Sequence, residues 1–326
     1  MVHPGPPGDA GPSALDWALL GDTGAIPDCT LASASLLLTS QADIPVHARQ
    51  RSHWGCIVFQ ANEHLDNGAI WAWEQYPFPT VGTTTKAELY QSQHSNAALY
   101  ALTNALVRVY ETAHHLPPSE RVKAVPETSW QRLSLTLQSK FLGGPTYDRP
   151  LITAKARQPI WDIHTAEDVR LIIFASDSQP GAQLAPLTTD SKTCLFAYGA
   201  HVHVSVESVP RTLYTSLGYG EYDAIPNGTI IATRSGAVFV KTKQVDGASA
   251  GVWITHGRIP KKTGSPLEPK ITMADAIRVC GHGKVLEAVQ EWYQDTWEER
   301  TGTWQEVYIK TIVNDGGLAQ CVYWRF

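Results

Sequence analysis

The sequence has no stretch approaching 18 consecutive apolar residues, and its first residues carry neither the basic patch nor the apolar core of a signal peptide. A membrane span and a secretory leader are therefore not expected, and the cytoplasm is the predicted compartment. Basic charge is also scarce. Lys and Arg number 26 against 31 Asp and Glu, leaving a net charge of -5 and no positive field for a phosphate backbone, so nucleic acid is not an expected partner. The five cysteines, Cys29, Cys56, Cys194, Cys280 and Cys321, stand at wide, unpatterned spacings with no CxxC and no Cys/His cluster. They read as free thiols of a reducing compartment, not as a disulfide framework or a zinc site. His201 and His203 in "YGAHVHVSV" fall on one face of a strand, but no third ligand accompanies them. They read as two histidines on a sheet face, and no metal is expected.

The rest of the composition is that of a globular protein. Hydrophobic residues make up 43% and charged residues 17% of 326, with 11 Trp, a length suited to about two or three domains. The chain opens with a Gly/Pro loop, "VHPGPPGDAGP", and no strand is read before it to aim it. "SALDWALL" then predicts a short helix with Ser13 as N-cap and Leu15, Ala18 and Leu19 on one face. Residues 22–52 lack periodicity and read as an inserted surface loop. "WGCIVFQA" (54–61) and "AIWAWEQYPF" (69–78) predict two strands around a turn in which Asn67-Gly68 supplies the positive φ. A long helix follows from Lys86, with Leu89, Ala97, Tyr100, Leu106 and Val109 at helical intervals, ending at Pro117 and Pro118.

Further on, "TAEDVRLIIFAS" (165–176) predicts a helix opened by a capping box of Thr165 and Asp168. Strand-like runs from 192 to 258 are divided by turns at Ser235-Gly236 and Asp246-Gly247. In the first hairpin, Ile230, Ala232, Val238 and Val240 are expected to face inward. The stretch from Ala274 to Gly302 reads as helical, and "QEVYIKTIVNDGGLAQCVYWRF" as a hairpin turning at "NDGG".

Two residue types in this frame point to acyl-transfer chemistry. An imidazole in a Gly/Pro loop, His3, can donate a hydrogen bond to the oxyanion of a tetrahedral intermediate. A carboxylate on a strand-to-strand turn, Asp66, can move a proton and orient a water. Each alone is an ordinary turn residue.

Taken together, "VHPG", "GPSALDWALL" and "WGCIVFQANEHLDNGAIWA" resemble the second half of the folate-dependent formyltransferase domain, with its HPS loop and LD.G turn in the same order. The segments "RPLITAKARQPIWDIH" and "NGTIIATRSGAVFVKT" resemble the carboxy-terminal barrel of methionyl-tRNA-type formyltransferases, while "SDSQPG", "YGAH" and "VWITH" are more similar to the formyltransferase and hydratase fusion of hydrogenase maturation, the HypX type. The resemblance implies 10-formyltetrahydrofolate as formyl donor, His3 and Asp66 as catalytic groups, and Glu63 and His64 beside the folate pterin. In the hydrogenase subfamily it also implies coenzyme A as acceptor, on the way to carbon monoxide. The family places an Asn two residues before the His, where this chain has Met1.

The fold expected from this resemblance is α/β plus β. It comprises the carboxy-terminal part of a Rossmann-like formyltransferase domain (1–115), a linker (116–149), a small formyltransferase C-terminal-like barrel (150–262) and the start of an enoyl-CoA hydratase, or crotonase-like, domain (263–326). Both ends read as truncated, so formyl transfer by these residues alone is expected to be impaired. Two other readings stand beside this one. One is a formyltransferase acting on methionyl-tRNA or a sugar nucleotide, and the other is a non-catalytic scaffold.

Overall fold

A computed structural model describes residues 1–11, 13–21, 51–61, 63, 66, 68–80, 82–120, 140–146, 151, 157–178, 181–184, 195–203, 205–244, 250–259 and 268–292. The chain divides into two compact units, Met1–Ile160 with Leu171–Gln183, and Trp161–Arg170 with the residues from Leu184 onward. Most of the 22–52 insertion, His64, Asn67, the Asp246-Gly247 turn and the "NDGG" hairpin lie outside the described residues.

The first unit is built on a three-stranded antiparallel sheet, ordered β1 (Val2–His3), β2 (His53–Phe59), β3 (Ile70–Pro77). The two long strands are where the β-branched and aromatic runs place them. Strand β1 is an addition to the sequence reading: the Gly/Pro loop does leave a strand, though one of only two residues. Val2 pairs with Val58 and His3 with Ile57, and the Phe59 N–H donates to the Met1 carbonyl at 3.0 Å. Among the described residues of the β2–β3 turn, Asp66 has a positive φ (51°). Gly68 serves a different need, because a Cβ there would run into the Gln60 carbonyl. The tight passage of two backbones fixes glycine at this position, not a left-handed conformation.

Helix α1 (Ala14–Leu19) follows the loop and ends at Gly21, whose φ of 87° suits glycine and whose N–H donates to the Ala18 carbonyl. The helix is buried all round and not on one face alone. Its burial includes Asp16, whose carboxylate meets Lys86 Nζ at 2.7 Å and Arg157 Nη2 at 2.8 Å. Two cations offset the desolvation of one buried carboxylate.

The long helix starts with a capping box, Thr85 and Glu88, at α2 (Lys86–Leu89), passes through a π-helical turn at Tyr90–His94, and continues as α3 (Ser95–Ala113). The extra residue of a π turn rotates every later position by about 100°. The buried positions therefore fall at Ala97, Ala101 and Ala105, while Tyr100 and Leu106, expected inside, are exposed. Small residues on the inner face allow α3 to pack against β2 and β3.

Helix α4 (Ala166–Ala175) carries the predicted capping box. The Thr165 N–H donates to Asp168 Oδ2 at 3.1 Å, and the Asp168 N–H donates to Thr165 Oγ1 at 3.3 Å.

The second unit holds a mainly antiparallel sheet. Its strands are β4 (Phe196–His203), β5 (Ile230–Arg234), β6 (Ala237–Lys241), β7 (Gly251–Arg258), β8 (Ile271–Thr272) and β9 (Gln290–Glu291), with short helices α5 (Arg211–Thr215) and α6 (Met273–Ile277). Within this unit the order is β9-β5-β6-β7-β4. Strand β8 pairs with β7 at His256 and Gly257, beyond the end of β6, and β9 pairs parallel with β5. Strand pairing thus crosses the 262/263 boundary read from the sequence.

The β5–β6 hairpin turns at Ser235 (φ 48°) and Gly236 (φ 82°), as read. A bulge between Ile230 and Ala232 changes the facing of one residue. Ala232 lies opposite Phe239, in the cluster with Trp253 and Trp292, and not beside Val238 and Val240. Both faces of the hairpin are buried, so one-sided alternation did not apply. The helix expected from Ala274 to Gly302 is also shorter. It gives way to a π turn and a 3-10 turn ending at Leu286, with Gly281 at φ 82° inside and strand β9 after it.

Residues 140–146, read as surface linker, are tied to the first sheet. The buried Arg51 guanidinium donates through Nη1 to the carbonyls of Gly143 (2.9 Å) and Pro145 (2.6 Å) and lies 5.3 Å from the Trp54 ring centroid. Thr146 Oγ1 donates to the Pro7 carbonyl at 3.3 Å, joining the same segment to the Gly/Pro loop. Arg51→Met keeps the stem and removes the donors, stranding acceptors away from water. It is expected to lower stability by about 2–4 kcal/mol, since each unsatisfied buried polar group costs about 1–3 kcal/mol. Urea unfolding followed by Trp fluorescence measures this, and a loss below about 0.5 kcal/mol would show that the latch carries little.

Candidate active site

The Gly/Pro loop is shaped by its own sequence. Pro6-Pro7-Gly8-Asp9 forms a turn in which the Asp9 N–H donates to the Pro6 carbonyl at 3.0 Å, with Gly8 at φ 87°. Proline second and glycine third are the residues of a type II turn. The turn folds Asp9 back beneath His3. Strand β1 holds His3 from one side, and the Trp54 indole N–H donates to the Pro4 carbonyl at 3.0 Å, holding the loop from the other.

His3 is 4% exposed and stands between two carboxylates. Its Nδ1 is 3.4 Å from Asp66 Oδ2, and its Nε2 is 3.5 Å from Asp9 Oδ1. The structure therefore brings His3 and Asp66 together across more than 60 residues of chain. Asp66 Oδ2 also accepts from the Gly11 N–H at 3.2 Å, so the far end of the loop helps to fix the carboxylate. Both imidazole contacts are longer than a formed hydrogen bond, as is common in sites that tighten when a ligand binds. Glu63 is exposed on the segment leading to Asp66. His64, the other residue assigned to the folate, lies outside the described residues.

Sequence reading missed three contributors. Asp9 was legible only as a turn residue of "PPGD". Gly5 is a matter of space, since a Cβ there would stand 2.6 Å from both His3 Nε2 and Asp9 Oδ1. His94 sits on the π turn, sharing a 3.1 Å hydrogen bond between its Nδ1 and the Tyr76 hydroxyl and meeting the Tyr90 ring edge-on at 4.9 Å. Burial, and to a lesser extent the neighbouring His3 imidazole, push the His94 pKa down to about 4. Burial likewise raises Tyr76, and raises Tyr90 to about 12. The flank of the site made by these three side chains is uncharged at neutral pH.

The second unit has no comparable cluster among the described residues. His203 is packed beneath Phe239 and Trp292, shares a 2.7 Å hydrogen bond with Ser208, and has its pKa pushed to about 4 by burial. No group of three or more His, Cys, Asp or Glu able to hold a metal occurs among the described residues. A cleft of about 340 Å³ near Asn227 and Thr229 has no carboxylate, imidazole or thiol in its lining.

No family model matches the chain. In sequence it is similar to the hydrogenase maturation factor HoxX of Bradyrhizobium diazoefficiens, 28% identical over 312 residues that cover 90% of this chain and 41% of that protein. In fold it is similar to crystal structures of HypX from Aquifex aeolicus. A multiply substituted variant matches with a TM-score of 0.55 at 23% identity, covering 94% of this chain and 40% of that one. The complex of HypX with tetrahydrofolic acid matches with a TM-score of 0.55 at 23% identity, covering 94% and 38%. The chain thus spans about two fifths of the length of these relatives. The likenesses bear out the HypX-type resemblance read from the sequence.

Buried histidines with depressed pKa values, His94 and His203 among them, set an acid limit. A histidine whose folded pKa lies near 4, against an ordinary 6.5, binds its proton more readily unfolded. Stability is therefore full above about pH 6.5 and lost as pH falls toward 4, by up to about 1.4 kcal/mol per pH unit for each group. Thermal unfolding followed by circular dichroism is expected to show a falling midpoint from pH 7 to pH 5, with His94→Gln removing part of the slope. A flat profile would contradict the burial assigned to both rings.

Proposed function

We propose that the chain carries the acid-base half of a folate-dependent formyl-transfer site, with His3 and Asp66 as catalytic residues. The observation that supports this most is the buried His3 imidazole, at the end of strand β1, facing at 3.4 Å the Asp66 carboxylate on the β2–β3 turn. 10-Formyltetrahydrofolate would supply a formyl carbonyl bonded to nitrogen. When an acceptor adds to such a carbonyl, negative charge gathers on the oxygen and a proton must leave the acceptor. An imidazole N–H on His3 answers the first need, and the Asp66 carboxylate the second. Returning that proton to the departing nitrogen balances the transfer. The Gly11 N–H keeps the carboxylate on the side of the imidazole while this happens. A buried imidazole and carboxylate suit this donor, because both act more strongly out of water.

Glu63, on the approach to Asp66, is assigned to the pterin together with His64. Among the relatives, HypX of Aquifex aeolicus forms a complex with tetrahydrofolic acid, and HoxX is a hydrogenase maturation factor. Extending these, the formyl group is destined for hydrogenase maturation, and the resemblance read from the sequence makes the acceptor coenzyme A, on the way to carbon monoxide.

The test is formyl transfer followed by tetrahydrofolate release. His3→Ala and Asp66→Ala are each expected to lower the rate by about a hundredfold or more, the usual scale for groups of this kind. Calorimetric titration with the folate checks that binding survives in both variants. Equal rates in parent and variants would remove the assignment.

A further inference from the structure

We propose that Asp9 is a positioning residue that holds His3 through Nε2, and that Gly5 is kept free of a side chain to admit this contact; the role in catalysis rests on the formyl-transfer reading above. Asp9 Oδ1 faces His3 Nε2 at 3.5 Å, with both side chains almost wholly buried. Asp66 faces the opposite ring nitrogen at 3.4 Å. An imidazole bounded on both nitrogens can neither flip nor tilt without giving up one of its carboxylates.

The loop is arranged for this second contact. The Pro7-Gly8 turn returns Asp9 toward the ring, and Thr146 braces the turn at the Pro7 carbonyl. Any Cβ at Gly5 would stand 2.6 Å from each member of the pair. Contacts that close essentially never occur at a real Cβ, so a substitution must push His3 and Asp9 apart. The division of labour follows from the geometry. Asp66, one-tenth exposed on the turn, is the carboxylate on the open side of the ring. Asp9 is the deeper one and orients the imidazole from behind, as a buried acid orients the imidazole of a hydrolase triad.

The test uses the 326-residue chain labelled with nitrogen-15 histidine, the His3 signals being assigned by their loss in His3→Gln. Asp9→Asn keeps the side-chain volume and removes the charge, and is expected to shift the His3 Nε2 resonance while the other histidines stay in place. Gly5→Ala leaves Asp9 intact and is expected to displace the same resonance by separating the pair. If Asp9→Asn does not fold, Asp9→Ser takes its place in the same measurement. His3 resonances unchanged in Asp9→Asn would overturn the proposal, as would a shift seen with Gly5→Ala alone, which would make the contact merely steric. In the transfer assay, Asp9→Asn is expected to lower kcat at least about tenfold with little change in KM for the folate. A rise in KM with kcat unchanged would also overturn a positioning role. Should the parent chain transfer no formyl group, the resonance shifts still decide whether Asp9 holds His3, and the functional reading alone fails.

Discussion

Strand β2 is the constraint on which the first unit depends. It pairs with β1 on one edge and β3 on the other, and from Trp54 to Phe59 every side-chain-bearing residue is buried. Such a strand has no face along which it can slip, because a shift of one residue would exchange two buried sets. That fixed register is transmitted outward. Through the His3–Ile57 pair it sets the height of the imidazole, and through the turn after Phe59 it sets the Asp66 carboxylate. Trp54, on the same strand, holds Pro4 and supports the stacked Arg51. The two catalytic candidates are thus positioned by opposite edges of one rigid element, although the chain between them is long and largely irregular.

What the sequence made legible were features governed by neighbouring residues. The β2–β3 hairpin, the Thr165–Asp168 capping box and the Ser235-Gly236 turn each depend on two to six adjacent side chains, and each stands where it was read. The misreadings have a common cause. A single inserted residue, in the π turn at Tyr90–His94 and in the bulge at Ile231, changes the phase of everything beyond it, so Tyr100, Leu106 and Ala232 moved to the other face. A periodicity drawn through such a point cannot detect it, since the residues on either side keep their own regular spacing. Strand β1 was illegible for another reason. Two residues carry no pattern, and only the partner strand makes them a strand. In the site itself, His3 and Asp66 were accessible through motif resemblance, whereas Asp9 and Gly5 matter through contacts that no local rule states.

The second unit shows how differently burial acts on groups of the same type. His203 is enclosed by aromatic rings and left neutral, hydrogen-bonded to the Ser208 hydroxyl. Lys241 is as deeply buried, yet its ammonium donates to the Ile225 carbonyl at 2.7 Å and to Asn227 Oδ1 at 3.3 Å, near the Tyr222 ring. Burial draws its pKa down, while Asp223 and Asp162 act in the opposite sense. These groups satisfy their immediate neighbours. They hold a core together, which is a structural task.

The first unit treats its buried charges in two ways. Asp16 is closed by two cations at hydrogen-bonding distance, a geometry that neutralises it and leaves nothing to react. His3, Asp9 and Asp66 place two acids about one imidazole at 3.4–3.5 Å, too far to form finished hydrogen bonds and too near to ignore one another. Burying such an arrangement costs free energy that Asp16's arrangement avoids, because the contacts to the imidazole are long. The loop nevertheless spends two prolines, a left-handed glycine and a glycine without room for a side chain on holding it. A folding core would close those gaps, as it does around Asp16. Their retention, beside an uncharged flank of Tyr76, Tyr90 and His94, is what a site needs if its hydrogen bonds are to be completed by the reacting molecule.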